Sequence, residues 1–126
     1  MNVPENLKYS NDHEWLKVDG NYGYVGITDY AQGELGDIVF IDVDPDLDAI
    51  TKDEPFGTIE AVKTVSDLLA PVSGKVVELN PKLEDEPQLV NSDPYGDGWI
   101  IKIEIEDAES VNDLLSAEDY AKLIGG

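Results

Sequence analysis

The chain has 126 residues, 41% of them hydrophobic, which suits one folded domain with a single core. Its 28 acidic residues outnumber eight lysines, arginine is absent, and the formal net charge is -20, which argues strongly against nucleic acid and anionic membranes as partners. Cysteine is absent and His13 is the only histidine, which excludes disulfides and thiolate metal sites. We therefore expect one domain over residues 1–126 that holds no metal.

The first half of the chain predicts a hairpin, a helix, a strand and an acidic turn. Two β-type runs are separated by an Asp-Gly-Asn sequence, which is the spacing of a hairpin. Thr28 stands where a helix cap belongs, and Gly36 follows where that helix would end. The predicted segments are 13–18 and 22–27 for the hairpin, 28–35 for the helix, 37–43 for the strand and 44–55 for the turn.

The second half predicts further strands followed by two short helices. A corner rich in proline and glycine separates the first two strands, and a loop dense in Asn, Asp, Pro and Gly precedes the last. Ser116 with Asp119 fits the capping-box pattern of a helix start. The predicted segments are strands 56–65, 74–79 and 99–105, a helical turn 81–86, a loop 91–98, and helices 106–115 and 116–124.

Lys63 occupies a distinctive place in this pattern. β-Branched residues lie on both sides of it and favour extended structure. If the segments 59–62 and 64–66 pair as a hairpin, Lys63 stands at or beside the tip and projects into water. By composition alone it would be one surface lysine among eight; the extended flanks and the Pro-Gly corner that follows raise it above the rest.

Four blocks of this sequence carry distinctive motifs. They are Tyr9 with His13-Glu14-Trp15, the segments 25–32 and 35–39, the segment 60–63 with Ser66-Asp67, 70–74 and 76–80, and the segment 89–99. In this order they resemble motifs of the glycine cleavage H proteins. One block alone would be a moderate signal, but four in order make a specific resemblance that runs nearly end to end. The chain departs from the usual pattern with Ala61, Thr64 and Asp12, and the last of these adds a charge close to Glu14.

The resemblance implies a mainly β, barrel-sandwich fold of the lipoyl and biotinyl carrier type, with short peripheral helices and a C-terminal helical segment. It implies (R)-lipoate in amide linkage to Lys63, attached by a lipoate ligase or by an octanoyl or lipoyl transferase. The arm would take an aminomethyl group from glycine dehydrogenase (decarboxylating) to aminomethyltransferase, and dihydrolipoamide dehydrogenase would reoxidise it. The chain would then be a monomeric carrier in glycine catabolism and one-carbon metabolism, without catalytic residues of its own.

Glu14 and Asp67 are the candidate contacts of that arm. An aminomethyl group carries a reactive amine that water could remove, and a carboxylate paired with the protonated amine would shield it. Both side chains could instead be two solvated acids among 28. The hypothesis predicts that Glu14→Ala or Asp67→Asn speeds loss of the aminomethyl group from the isolated loaded protein.

Several alternatives stay open at this point. An H-like lipoyl relay, which passes lipoyl groups to other acceptors, would use the same Lys63. A biotin carrier ranks lower because methionine usually flanks the biotinylated lysine, whereas Val62 and Thr64 flank this one. A lipoyl domain of a 2-oxoacid dehydrogenase fits poorly, since such a domain is shorter and belongs to a longer chain. An independent enzyme ranks last, because no convincing catalytic constellation is present.

The sequence shows neither a membrane segment nor a targeting peptide. No apolar run approaches the roughly 18 residues that a membrane-spanning helix needs. The first six residues lack the basic start of a signal peptide and the arginines of a transit peptide. We therefore expect a cytoplasmic protein of a prokaryote, with the mitochondrial matrix less favoured.

Overall fold

The computed structural model describes residues 3–125, which form nine strands and several short helices. The strands are β1 (Lys8–Tyr9), β2 (Glu14–Asp19), β3 (Tyr22–Ile27), β4 (Ile38–Asp42), β5 (Ala49–Ile50), β6 (Pro55–Ala61), β7 (Val65–Leu69), β8 (Gly74–Leu79) and β9 (Ile101–Ile105). The α-helices are α1 (Asp29–Leu35), α2 (Lys82–Asp85), α3 (Leu89–Ser92) and α4 (Ala117–Leu123), and a 3₁₀ helix covers Ala108–Asp113.

The strands form two antiparallel sheets. The larger sheet has the order β1-β2-β3-β9-β8-β5, and the smaller has the order β4-β6-β7. Every strand pair is antiparallel, and short connections join β1 to β2, β2 to β3 and β6 to β7, whereas β3 pairs with β9 from the far end of the chain. The mainly β barrel-sandwich prediction is confirmed.

The predicted hairpin and helix of the first half are also confirmed. β2 and β3 pair along their whole length and are joined by a tight turn in which Gly20 has φ 64°. The Thr28 hydroxyl accepts the N–H of Ala31 at 3.2 Å and so caps α1. Gly36 ends that helix at φ 84°, a conformation that favours glycine.

Two groups of buried side chains stabilise the fold. The main core lies between the sheets, where Val25, Ile59, Leu68 and Ile101 are each at most 1% exposed. Burial of each such side chain contributes about 1.5–3 kcal/mol. A second cluster holds the N-terminal segment against α4. Its buried members are Leu7, Tyr9, Trp15, Ala117 and Tyr120.

Four predicted segments differ from the structure. The strand expected over 56–65 ends at Ala61, because the chain turns at residues 62–64 and continues as β7. The turn region 44–55 contains β5, because Ile50 is drawn into the core and a two-residue strand has no readable periodicity. The loop 91–98 overlaps the end of α3, whose single turn buries Val90. The helix expected over 106–115 is a 3₁₀ helix, in which N–H groups bond to carbonyls three residues back.

Candidate functional site

The structure places Lys63 at the tip of a β-hairpin, as the sequence predicted. β6 and β7 pair as far as Glu60 opposite Val65, and the N–H of Ala61 donates to the Thr64 carbonyl at 2.8 Å. Lys63 lies in the turn between them and is exposed to solvent. None of the ion pairs found in residues 3–125 includes it. Its amine is therefore accessible to an attaching enzyme.

The tip is fixed to the smaller sheet rather than freely suspended. Ile59 and Ala61 bury their side chains in the core just before the turn. The N–H of Val62 donates to the Asp37 carbonyl at 3.0 Å and ties the turn to the segment before β4. The Val62 side chain is nonetheless 70% exposed. An exposed lysine on such an anchored, protruding turn can enter the active site of another protein.

A cavity of about 290 Å³, here called the Glu14 cavity, lies beside β7. Its apolar lining comes from the core side of the smaller sheet and from α1, and four acidic residues border it. No lysine is among the described residues that line it. They are Asp12, His13, Glu14, Ile27, Tyr30, Ala31, Glu34, Leu35, Ile59, Ser66, Asp67 and Leu68. The cavity suits a small apolar group that ends in a positive charge.

The Glu14 cavity lies within reach of the hairpin tip. Ser66 and Asp67 line it, and they follow Lys63 by three and four residues. At about 3.3 Å per residue, they are roughly 10–13 Å from Lys63 along the chain. An outer depression of about 390 Å³ shares five residues with the cavity and adds Asn11 and Leu69. A long chain attached to Lys63 could therefore fold back into this region.

Glu14 is the first residue of β2, and its carboxyl side chain is buried, at 3% exposed. Its Oε1 accepts a hydrogen bond from the Ser10 hydroxyl at 2.8 Å. Burial raises the pKa of Glu14 from its ordinary 4.5 to about 8, although the Ser10 hydrogen bond opposes the rise. A cationic group that entered the cavity would favour the ionised form and form a charge-assisted pair.

A tight loop over residues 10–14 holds Glu14 in place. The N–H of Ser10 donates to the Glu14 carbonyl at 2.9 Å, and the N–H of His13 donates to the Ser10 carbonyl at 3.2 Å. His13 has φ 68°, the left-handed conformation that few non-glycine residues adopt. The N–H of Thr28 donates to the His13 carbonyl at 3.0 Å, which joins the loop to the start of α1.

The His13 ring belongs to a hydrogen-bonded network that reaches α4. His13 Nδ1 is 2.8 Å from the Tyr120 hydroxyl, which is 2.7 Å from Thr28 Oγ1. Burial lowers the pKa of His13, against the opposing charges of Asp12 and Glu34. His13 is therefore a hydrogen-bonded part of the structure that joins the loop to α4.

Asp67 and Ser66 meet the cavity differently. Ser66 lies opposite buried Ile59 and shares its face of the sheet, whereas Asp67 lies opposite Thr58 on the other face. Because β7 is an edge strand, both residues line the cavity. The structure therefore brings Glu14 and Asp67 to one site and adds Ser66 to it. Residues two apart in a strand share a face, so the position of Ser66 two residues before apolar Leu68 is the sequence signal that could have identified this serine.

Two observations concern metals and membranes. In residues 3–125, no group of three or more His, Asp or Glu side chains is arranged to hold a metal ion. In the part of the chain that the structure describes, every helix falls short of the length that crossing a bilayer requires.

Known proteins resemble this chain over nearly its whole length. The family model of the glycine cleavage H-protein matches residues 7–125. A glycine cleavage system H protein of Carboxydothermus hydrogenoformans is 58% identical over 122 residues, which cover 97% of this chain and 94% of that protein. One of Bacteroides thetaiotaomicron is 54% identical over 126 residues and covers 100% of both chains.

A solved structure shares the fold as well. The crystal structure of a glycine cleavage system H protein from Mycobacterium marinum superposes with a TM-score of 0.89 at 37% sequence identity. The match covers 98% of this chain and 100% of that one. With the family model, the relatives and the fold in agreement, the chain belongs to the glycine cleavage H-protein family.

Proposed function

We propose that Lys63 is the attachment point of lipoate and that this chain is the lipoylated carrier of a glycine cleavage system. The observation that supports this best is the position of Lys63, exposed and without an ion-pair partner at the tip of an anchored hairpin. When attached, lipoate supplies a dithiolane whose sulfurs accept the one-carbon cargo and are later reoxidised. The chain supplies no sulfur of its own for this purpose, since it lacks cysteine.

The residues around Lys63 fit such a group. Amide formation requires an unprotonated amine, so the attaching enzyme must remove a proton from the Lys63 ammonium group. Val62 and Val65, 70% and 60% exposed, present apolar surface on both sides of the lysine. Conversion to an amide changes the formal charge of the chain from -20 to -21, because one lysine loses its charge.

We propose further that the Glu14 cavity receives the cationic end of the loaded arm. Glu14 would pair with the ammonium group, while the apolar lining around Ile27 and Leu68 would exclude water. Asp67 would hold a second carboxylate at the rim. Their role is protective: they lower the chance that water reaches the cargo while the carrier moves between enzymes.

Peptide mapping tests the attachment site. Protein produced in lipoate-supplied cells should gain one lipoyl increment in intact mass, located on the Lys63 peptide. Lys63→Arg should lack the increment. Lys75→Arg is the matched control, because Lys75 is also exposed but lies within β8 rather than in a hairpin turn. An increment retained in Lys63→Arg, or no increment where a known acceptor is lipoylated, would overturn the assignment.

The lifetime of the cargo on isolated carrier tests the cavity. We expect Glu14→Gln and Asp67→Asn to lose the aminomethyl group about ten- to hundredfold faster than the wild type, because one charge-assisted contact of about 1.5–3 kcal/mol is removed in each. Glu78→Gln and Asp19→Asn, exposed acids on other strands, serve as controls. Equal lifetimes for all four variants and the wild type would sink the proposed role of the cavity.

The same proposal includes the carrier's partners and its setting. The enzymes that would act on it are glycine dehydrogenase (decarboxylating), aminomethyltransferase, dihydrolipoamide dehydrogenase and a lipoate-attaching enzyme. We propose a cytoplasmic monomer, and its relatives in bacteria support that setting. The names of those relatives favour the glycine cleavage carrier over the lipoyl relay. Reconstituted glycine exchange, measured with and without the lipoylated chain, distinguishes the two functions.

A further inference from the structure

Ser10 stands directly beside the buried carboxylate and is itself 8% exposed. Its Oγ lies 3.2 Å from the N of Asp12 and 3.1 Å from the N of Glu14, and both N–H groups donate to it. The same oxygen lies 2.8 Å from Glu14 Oε1. Three hydrogen bonds therefore meet at one side-chain oxygen within the loop over residues 10–14.

The hydrogen-bonding capacity of a serine hydroxyl determines the direction of the third bond. A hydroxyl has one proton to donate and two lone pairs that accept. The backbone N–H groups of Asp12 and Glu14 occupy both lone pairs, so the proton is left for Glu14 Oε1. Ser10 therefore donates to the carboxyl group of Glu14. The direction of this hydrogen bond cannot reverse unless one of the two backbone hydrogen bonds to Ser10 Oγ is broken.

We infer that Ser10 is a positioning residue for Glu14: it holds Oε1 and so, if the function proposed above is correct, orients the carboxyl toward the cationic end of the arm. A carboxyl without this donor could rotate and would be protonated more readily, since a hydrogen bond to the charged form favours that form. Ser10 thus fixes the orientation of the carboxyl and favours its ionised form against the effect of burial.

Burial and the negative charges around Glu14 oppose the effect of Ser10 on the pKa of Glu14. Burial raises its pKa most, and the charges of Asp12 and Asp53 raise it further. The Leu69 backbone assists Ser10 in lowering it. The titratable groups that face the site from its neighbouring elements are Asp12 and His13 on the loop, Tyr30 and Glu34 on α1, Asp53 before β6, Asp67 on β7 and Tyr120 on α4.

The test is an NMR titration of the Glu14 side-chain carboxyl in ¹³C-labelled, unlipoylated protein, with Glu14→Gln used to assign the signal. We expect Ser10→Ala to move the midpoint upward by about one pH unit, which corresponds to one lost hydrogen bond to a charged group. Ser10→Thr keeps the hydroxyl and should restore the wild-type midpoint. Ser92→Ala, which removes an exposed hydroxyl on α3, should leave the midpoint unchanged.

A second readout is the lifetime of the cargo on lipoylated carrier, which Ser10→Ala should shorten in the same direction as Glu14→Gln. An unchanged Glu14 midpoint in folded Ser10→Ala overturns the inference. If Ser10→Ala does not fold, Ser10→Cys replaces it, because it keeps the side-chain size and weakens the donor. A raised midpoint combined with an unchanged lifetime in Glu14→Gln supports the positioning role and overturns the cavity's proposed function instead.

Discussion

At the scale of a single residue, burial of the Glu14 side chain makes its ionised form less favourable in the folded protein. Most acidic side chains of the chain face water, yet that of Glu14 is 3% exposed. Among the described residues, the other buried polar side chains are those of Ser10, Thr28 and Asn80. Removal of water disfavours the ionised form of Glu14, and the charges of Asp12 and Asp53 add to the effect. Ionisation of Glu14 is therefore unfavourable in the folded protein.

The raised pKa of Glu14 predicts that the free energy of unfolding depends on pH. Between its ordinary pKa of 4.5 and the folded value of about 8, Glu14 holds a proton in the folded protein that it loses on unfolding. The free energy of unfolding therefore falls as pH rises through this window. Glu14→Gln removes the effect, so its advantage over the wild type should grow from pH 5 to pH 8 by on the order of 3 kcal/mol.

Urea unfolding at both pH values measures this difference. Glu78→Gln, an exposed glutamate on β8, should track the wild type at both. A stability difference between Glu14→Gln and the wild type that is independent of pH would contradict the assignment of a raised pKa.

At the scale of elements, α4 is attached to the site by one tyrosine. Ser116 caps the helix by accepting the N–H of Asp119 at 3.2 Å. The Tyr120 ring stacks on Tyr9 at 4.7 Å with an interplanar angle of 9°. Its hydroxyl meets His13, so the helix and the wall of the Glu14 cavity are parts of one packed unit.

Tyr120→Phe separates the two contributions of this tyrosine. The ring stack remains, whereas Thr28 Oγ1 and His13 Nδ1 each lose their contact with the hydroxyl. We expect a loss of about 1–3 kcal/mol in the free energy of unfolding. We also expect a changed ¹⁵N tautomer signature, which is unambiguous because His13 is the only histidine.

Tyr22→Phe is the matched control, since Tyr22 is 40% exposed and lies on β3. It should change neither stability nor the histidine signals. Identical ¹⁵N spectra for Tyr120→Phe and the wild type would show that the hydroxyl does not set the state of His13.

At the scale of the whole molecule, the charge of -20 is accompanied by an apolar and acidic face next to Lys63. Phe40, Glu60 and Val65 lie side by side across the outer face of the smaller sheet. Phe40 and Val65 are 49% and 60% exposed. We expect partners to meet this face with cationic surfaces that surround an apolar centre.

The association rate with a lipoate-attaching enzyme should therefore depend on salt. We expect it to fall about tenfold between about 50 mM and about 500 mM salt, because screening weakens electrostatic steering. Stopped-flow measurement gives the rate, and Glu60→Gln should flatten its salt dependence more than Glu104→Gln on the larger sheet. A rate that does not respond to salt would refute steering by this charge.

Much of the fold could be predicted because its signals are local. The Asp-Gly turn of the first hairpin, the Thr28 cap and the β-branched flanks of Lys63 each specify geometry over a few residues. β1 and β5 could not be predicted, since two-residue strands have no period and depend on their partners. The burial of Glu14 could not be predicted either, because it follows from the contact of β2 with distant β7 and from the positive φ of His13.

The short path between the hairpin tip and the Glu14 cavity determines how tightly the cavity must bind the end of the proposed arm. In the proposed carrier, both ends of the contact would belong to one molecule, so the tethered group would experience an effective concentration of at least the millimolar order. An intrinsic dissociation constant of about a millimolar would already keep the arm docked for half of the time. A partner could then withdraw the cargo with little free energy, and protection would not conflict with delivery.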